Sequence, residues 1–264
     1  MIRELITYLS ERPTLKEARS FGHLVESISL LSREKRCQKS WSSHRASCKH
    51  FITAELKNSR HFESVLILGS GPLHEIPIEV LSKTFKRVVL VDIVHLKSTK
   101  KSVAHLPNIE FIEHEITEIE EALRINKELK NSIPSKFVDL DWGLVLSVNV
   151  MSQLPLHLQT FIEKKLKNKF SPESVSAFLK NVTKNHFDYL QSFKANALLI
   201  TDTQTIYYDK NESVIETDNN YEHLNLPKPT EEWNWNLAPI PEFQKDVGIK
   251  MRVCGFVLKN INSH

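Results

Sequence analysis

Gly69-Ser70-Gly71 stands between a short apolar run, Val65-Leu66-Ile67-Leu68, and a second, Val88-Val89-Leu90-Val91, which ends on Asp92. Each part suits a nucleotide-type ligand. Glycines permit a sharp turn and a close backbone approach, a following helix N-terminus offers unpaired N–H groups, and an acid ending the next strand accepts hydrogen bonds from ribose hydroxyls. A dinucleotide fingerprint would place a third glycine or alanine at residue 74, where this chain has His74, and Pro72 removes a donor N–H. The chain holds only 6 glycines in 264 residues, where average usage of about 7% gives roughly 18, so two of them flanking one serine are not casual. The competing reading is a strand-to-helix turn with an incidental acid.

Other residue types near this turn could act on a bound ligand. His74, as a neutral imidazole, could accept a proton from a nucleophile, or it could merely cap a helix start. Asn149 and Gln153 follow the apolar run Leu144–Val148, where a parallel sheet builds its crevice, and could orient a substrate amine or carboxylate through paired donors and acceptors. Their alternative role is capping the next helix. His44 and Cys48 share a helix face, but two ligands do not make a metal site and none is expected; Trp41 with His44 reads as a lid packing over the cleft. Trp233 and Trp235 could form an aromatic wall for substrate or pack against the sheet edge. His95 reads as an edge or surface residue and His186 as structural. Arg33, Lys35, Arg36, Lys39, Arg45 and Lys49 form a basic cluster, either a solvated helix face or an anion site.

The elements that must position these residues alternate. Helical spacing over 14–58 predicts a helical lead-in, then buried strands are expected at 65–68, 87–92, 109–115, 142–149 and 197–202. Helices lie between them, around 97–104 and 174–193, and alternation of this kind implies right-handed crossovers and a parallel sheet. A hairpin over 205–216 with a polar loop, an irregular aromatic stretch at 217–242 and one or two closing strands at 248–258 complete the chain. The expected fold is therefore α/β: a doubly wound, Rossmann-like, mostly parallel sheet with antiparallel C-terminal strands, preceded by an N-terminal helical cap at 1–60, with the main domain at 61–264.

The run Val65–Gly71, with Asp92 ending the second strand, Glu115 ending the third and Asn149 ending the fourth, resembles the class I S-adenosylmethionine-dependent methyltransferases over residues 60–203. The resemblance implies S-adenosylmethionine as cofactor. It implies that Gly69, Ser70 and Gly71 pass its methionine part, that Asp92 holds the ribose with Ile93 in the same cofactor-binding set, that Glu115 reads the adenine amine and that Asn149 faces the reacting methyl. No acid precedes Gly69, and the third glycine of the usual turn is Leu73. Gly-Ser-Gly-Pro-Leu is also similar to the turn of nicotianamine-synthase-like enzymes, which implies transfer of the aminocarboxypropyl arm instead. More broadly, Trp41/His44, Gly69–His74 and Ser152–Pro155 resemble a family of uncharacterised bacterial proteins, which supplies no reaction. A non-catalytic binding protein on the same fold, and a nicotinamide-dependent oxidoreductase, are the rival classes.

Composition bounds the partners. A net charge of +3, from 35 basic and 32 acidic residues spread evenly, gives no reason to expect nucleic acid or a membrane surface. Cys37, Cys48 and Cys254 are an odd count without CxxC spacing, which suits a reducing compartment. Charges interrupt the first apolar run too early for a signal-peptide core, and no window approaches the roughly 20 apolar residues of a membrane span. The expectation is a cytoplasmic protein acting on a small-molecule substrate, with its oligomeric state open.

Overall fold

The computed structural model describes residues 2–259. Strands β1 (Ser64–Leu68), β2 (Arg87–Asp92), β3 (Ile109–Glu113), β4 (Leu144–Val148) and β5 (Ala197–Tyr208) pair in parallel, in the order β3-β2-β1-β4-β5. Next to β5 lies β8 (Gly248–Leu258), antiparallel to it, and beyond that β7 (Glu231–Ala238), antiparallel to β8. β6 (Val214–Asn219) pairs with the far half of β5.

The inner parallel strands β1, β2 and β4 are apolar on both faces because helices cover both. Val65, Ile67, Val88, Leu90, Leu144 and Leu146 point into one core, and Leu66, Leu68, Val89, Val91 and Val145 into the other. The first core is closed by α4 (Gln38–Ala54), through Trp41, Cys48, Phe51 and Ile52, and by α5 (Ile78–Thr84). The second is closed by α9 (Pro172–Ser192), through Phe187, Tyr189 and Leu190. α8 (Leu154–Lys165) packs against α9 through Leu158, Phe161 and Phe178. The shorter α6 (Lys97–Ser102) and α7 (Glu120–Asn126) follow β2 and β3, while α1 (Ile2–Ser10), α2 (Glu17–Ser20) and α3 (His23–Arg36) precede α4.

Several boundaries differ from expectation for identifiable reasons. The lead-in is not one helix: Gly22, at φ +88°, separates α2 from α3, and Cys37 leaves the helical region between α3 and α4. α5 starts only at Ile78, after Pro77, so six residues of turn separate it from Gly71 and His74 lies in that turn rather than at a helix start. β5 continues past Asp202 to Tyr208 because a register shift between Asp202 and Gln204 lets one strand bend into the antiparallel arm. The stretch expected to be irregular contains β7, in which Trp233, Trp235 and Leu237 alternate with Asn234 and Asn236 and join the first core. The closing segment 248–258 is a single strand.

Candidate functional site

The order β3-β2-β1-β4-β5 reverses direction between β1 and β4, and the crevice past the carboxyl ends of such strands is where a doubly wound sheet binds ligands. Four residues there adopt left-handed backbone: Gly69 (φ +70°), Gly71 (+50°), Leu73 (+68°) and Asn149 (+51°). Gly69 and Ser70 both donate their N–H groups to the Val91 carbonyl, at 3.0 and 3.2 Å, which ties the turn to the end of β2. Asp92 completes the brace: its Oδ2 accepts from the Gly71 N–H at 2.8 Å. Leu73 occupies the position of the missing glycine and still takes a left-handed conformation, at a cost of roughly 1–2 kcal/mol, because its side chain is buried in the first core. Position 73 therefore holds left-handed backbone without a glycine. Ile93 is buried with Val94 and Leu96 against Ala18, Leu24 and Ile28 of the N-terminal helices.

Glu115 serves its own loop. Its Oε1 accepts from the N–H and the hydroxyl of Thr117, both at 2.6 Å, and its Oε2 from the N–H groups of Ile119 (3.0 Å) and Glu120 (3.1 Å), capping the start of α7. Beside it, His23 Nε2 lies 2.7 Å from Glu120 Oε1, and the His23 and His157 rings are 3.9 Å apart, so the start of α3 sits over this edge. His95 is buried with Nε2 donating to the Ile112 carbonyl at 3.2 Å.

On the other side of the turn, α3 and α4 deliver polar groups. His74 Nδ1 is 2.8 Å from Glu34 Oε2, and Arg45 pairs with the other oxygen of Glu34. Burial lowers the His74 pKa, opposed by the Glu34 charge. The three arginines of the basic cluster are committed in this way, since Arg36 grips Glu242 with Nε and Nη2 at 3.1 and 2.6 Å and Arg33 lies 3.8 Å from the same carboxylate. Glu75, the next residue in the turn, has its pKa raised by burial.

His44 is fully buried and central. Its ring stacks on Trp235 at 4.0 Å, its Nδ1 accepts from Trp233 Nε1 at 3.0 Å, and its Nε2 lies 3.1 Å from the Asn149 side-chain amide. Cys48 Sγ is 3.6 Å from the same Nε2. Trp41 packs edge-on against Trp235 and donates from Nε1 to the Leu237 carbonyl at 2.9 Å. Trp41, His44, Trp233, Trp235 and Asn149 thus converge, whereas Gln153 is exposed and turned back on the strand end, Nε2 donating to the Asn149 carbonyl at 2.7 Å. Among the described residues, no three His, Cys, Asp or Glu side chains gather as metal ligands. Nothing in the sequence singles out Glu34 or the Asp202 carboxylate that accepts from Ser152 Oγ at 2.5 Å, because each reaches its partner only through the fold. His186 is buried 2.9 Å from Ser147 Oγ on α9, outside the crevice.

Two buried histidines, His44 and His186, and two half-buried ones, His23 and His157, give a pH signature. Burial pushes His23, His157 and His186 down to about 4 and His44 to about 3, from an ordinary 6.5. Folded values below the unfolded one mean that the neutral rings stabilise the fold fully above about pH 6.5, and that this is lost as the pH falls toward 4. The loss is about 1.4 kcal/mol per ring per pH unit. Asp202, raised by burial to about 6, acts in the opposite sense across pH 4–6. Four rings outweigh it, so the urea midpoint is expected to fall between pH 7 and pH 5, less steeply in His186→Gln.

Ser70 Oγ, His95 Nδ1 and one terminal atom of the Asn149 amide are buried here without a protein partner. Such atoms, a braced glycine turn and a carboxylate at the end of β2 fit a polar ligand carrying hydroxyl and amino-acid groups.

No family model and no curated protein matches the chain. Solved structures resemble it at low identity. A Burkholderia thailandensis 1,6-didemethyltoxoflavin-N1-methyltransferase, with bound 1,6-didemethyltoxoflavin and S-adenosylhomocysteine, shares 10% identity over 92% of each chain, with a TM-score of 0.41. The N-methyltransferase NodS from Bradyrhizobium japonicum WM9 shares 11% over 79% of this chain and 86% of its own, with a TM-score of 0.37. Haemonchus contortus phosphoethanolamine N-methyltransferase 1 shares 10% over 95% of this chain and 51% of its own, at 0.43. Strand order, the parallel core and the antiparallel β8 between β5 and β7 give the chain a class I methyltransferase-like fold.

Proposed function

We propose that this protein transfers the methyl group of S-adenosylmethionine to a small or medium-sized substrate. The observation that carries the reading is the brace at the switch point: Gly69 and Ser70 bonded to Val91, and Gly71 bonded to Asp92. In this reading Asp92 accepts from the ribose hydroxyls, Ile93 flanks the nucleoside and Gly69–Gly71 face the amino-acid part. The bound cofactor supplies a methyl group made electrophilic by its sulfonium. Glu115 shapes the loop through its cap on α7. Holding the nucleophile in line with the methyl group supplies most of the rate. His74 assists: with Nδ1–H donating to Glu34, its Nε2 is left as the proton acceptor, and Arg45 holds the other Glu34 oxygen. Trp233 and Trp235 act chiefly by holding His44 and Asn149.

The three cysteines are free and buried, which accords with a cytoplasmic setting, and no described helix is long and apolar enough to cross a membrane. A crystal soaked with S-adenosylhomocysteine tests the reading. It should show the ribose hydroxyls on Asp92 and the amino-acid part along Gly69–Gly71; a ligand elsewhere would refute it.

A further inference from the structure

The hydrogen-bond chain through His44 determines which end of the Asn149 amide faces inward. An indole N–H can only donate, so His44 Nδ1, 3.0 Å from Trp233 Nε1, must be the accepting nitrogen. A neutral imidazole has one accepting and one protonated nitrogen, so Nε2 carries the hydrogen. The Asn149 terminal atom 3.1 Å from Nε2 must then be the acceptor. The oxygen and nitrogen of an amide are distinguished by their partners rather than by their positions, so the oxygen faces His44 and the NH2 takes the opposite place.

Cys48 agrees. Its Sγ lies 3.9 Å from that same amide atom, and burial holds the thiol protonated, so the S–H is available as a weak second donor to the oxygen. Glu75 Oε1, at 3.9 Å from His44 Nε2, is beyond hydrogen-bond reach. The NH2 end occupies the buried position that has no protein partner. It cannot swing away, because Asn149 is 7% exposed, its carbonyl accepts from Gln153 and its own N–H donates to the Ile200 carbonyl at 2.9 Å. The neighbouring Val150 lies against Gly69, so this donor stands beside the glycine turn.

We infer that Asn149 is a one-way hydrogen-bond donor, oriented by the Trp233–His44 pair, and that it holds a carboxylate or carbonyl oxygen of the ligand in this crevice rather than an amine. The choice left open by residue type, amine or carboxylate, is thereby made by a tryptophan 84 positions later in the chain. The orientation stands independently of the reaction; its use on a substrate rests on the transferase reading. The oxygen can come from the amino-acid carboxylate of the cofactor or from the substrate.

Nuclear magnetic resonance of the ¹⁵N-labelled full chain near pH 7 separates these. Long-range ¹H–¹⁵N spectra of the ligand-free protein should show His44 as the Nε2–H tautomer, and Trp233→Phe should admit the other. The side-chain NH2 of Asn149 is then followed on adding S-adenosylhomocysteine, benzoate or benzylamine. A shift with S-adenosylhomocysteine assigns the oxygen to the cofactor, and a shift with benzoate assigns it to the substrate. Asn149→Asp, which still accepts from His44 but presents a carboxylate to the ligand, should weaken the responding ligand at least tenfold. An Nδ1–H tautomer in the intact protein, a response to benzylamine, or an NH2 unmoved by all three ligands would overturn the inference. If benzoate moves the NH2 while S-adenosylhomocysteine binds nowhere, the transferase reading fails and the donor assignment survives.

Discussion

Trp41→Ala is expected to lower the free energy of unfolding by about 3–5 kcal/mol, in the range for emptying a buried aromatic site. Trp41 is 1% exposed, lies among the largest buried side chains and joins α4 to β7 by edge contact with Trp235. Its truncation leaves a cavity between helix and sheet and deprives the Leu237 carbonyl of the Nε1 donor. Trp41→Phe keeps most of the contact area and loses that hydrogen bond, so its cost should be smaller by more than half. Urea unfolding followed by far-ultraviolet circular dichroism measures both. The same anchor positions His44 one turn later, so Trp41→Ala should also disturb the His44 and Asn149 resonances while leaving those of the α8–α9 pair in place.

The second large effect belongs to Gly69→Ala. At φ +70° an alanine pays roughly 1–2 kcal/mol for its conformation, and its Cβ would lie 2.5 Å from the Cβ of Val150. Relieving that overlap moves either the glycine turn or the end of β4, a repacking that costs about 1–3 kcal/mol. Together they predict a loss of about 2–5 kcal/mol in urea unfolding. Gly71→Ala is the instructive comparison. It has positive φ as well but open space at its Cβ position, so it should cost only the conformational part. If the two variants were equally stable, Gly69 would not be gripped by β4.

The centre of the sheet was legible because β1, β2 and β4 are buried on both faces, which leaves continuous runs such as Val65–Leu68 and Val88–Val91 bounded by turn residues. β7 was not, since its two asparagines and the prolines around it imitate a loop, although Trp233, Trp235 and Leu237 alternate as a half-buried strand requires. The break between α3 and α4 carries no proline or glycine at Cys37, so nothing local announces it. In the crevice, Gly69, Gly71 and Asp92 were readable because the turn and the acid belong to one strand–helix–strand unit. Glu34, and the pairing of Trp233 with His44 across 189 positions, were not, because they meet only when α3, α4 and β7 dock. The loop contacts of Glu115 were hidden for a related reason: four donors within five residues engage the carboxylate that the resemblance assigns to the adenine amine, and they gather only once the loop closes on the start of α7.

The proposal as a whole stands on Asp92 and the turn it braces, and calorimetry reaches it directly. S-adenosylhomocysteine titrated into the intact protein should bind saturably at one site. Asp92→Ala, which removes a charged hydrogen-bond acceptor worth about 1.5–3 kcal/mol, should weaken that binding by roughly tenfold or more. Asp92→Asn, which keeps an oxygen for the Gly71 N–H, separates loss of the brace from loss of the charge. No heat of binding with the intact protein, or equal affinity in Asp92→Ala, would contradict the account.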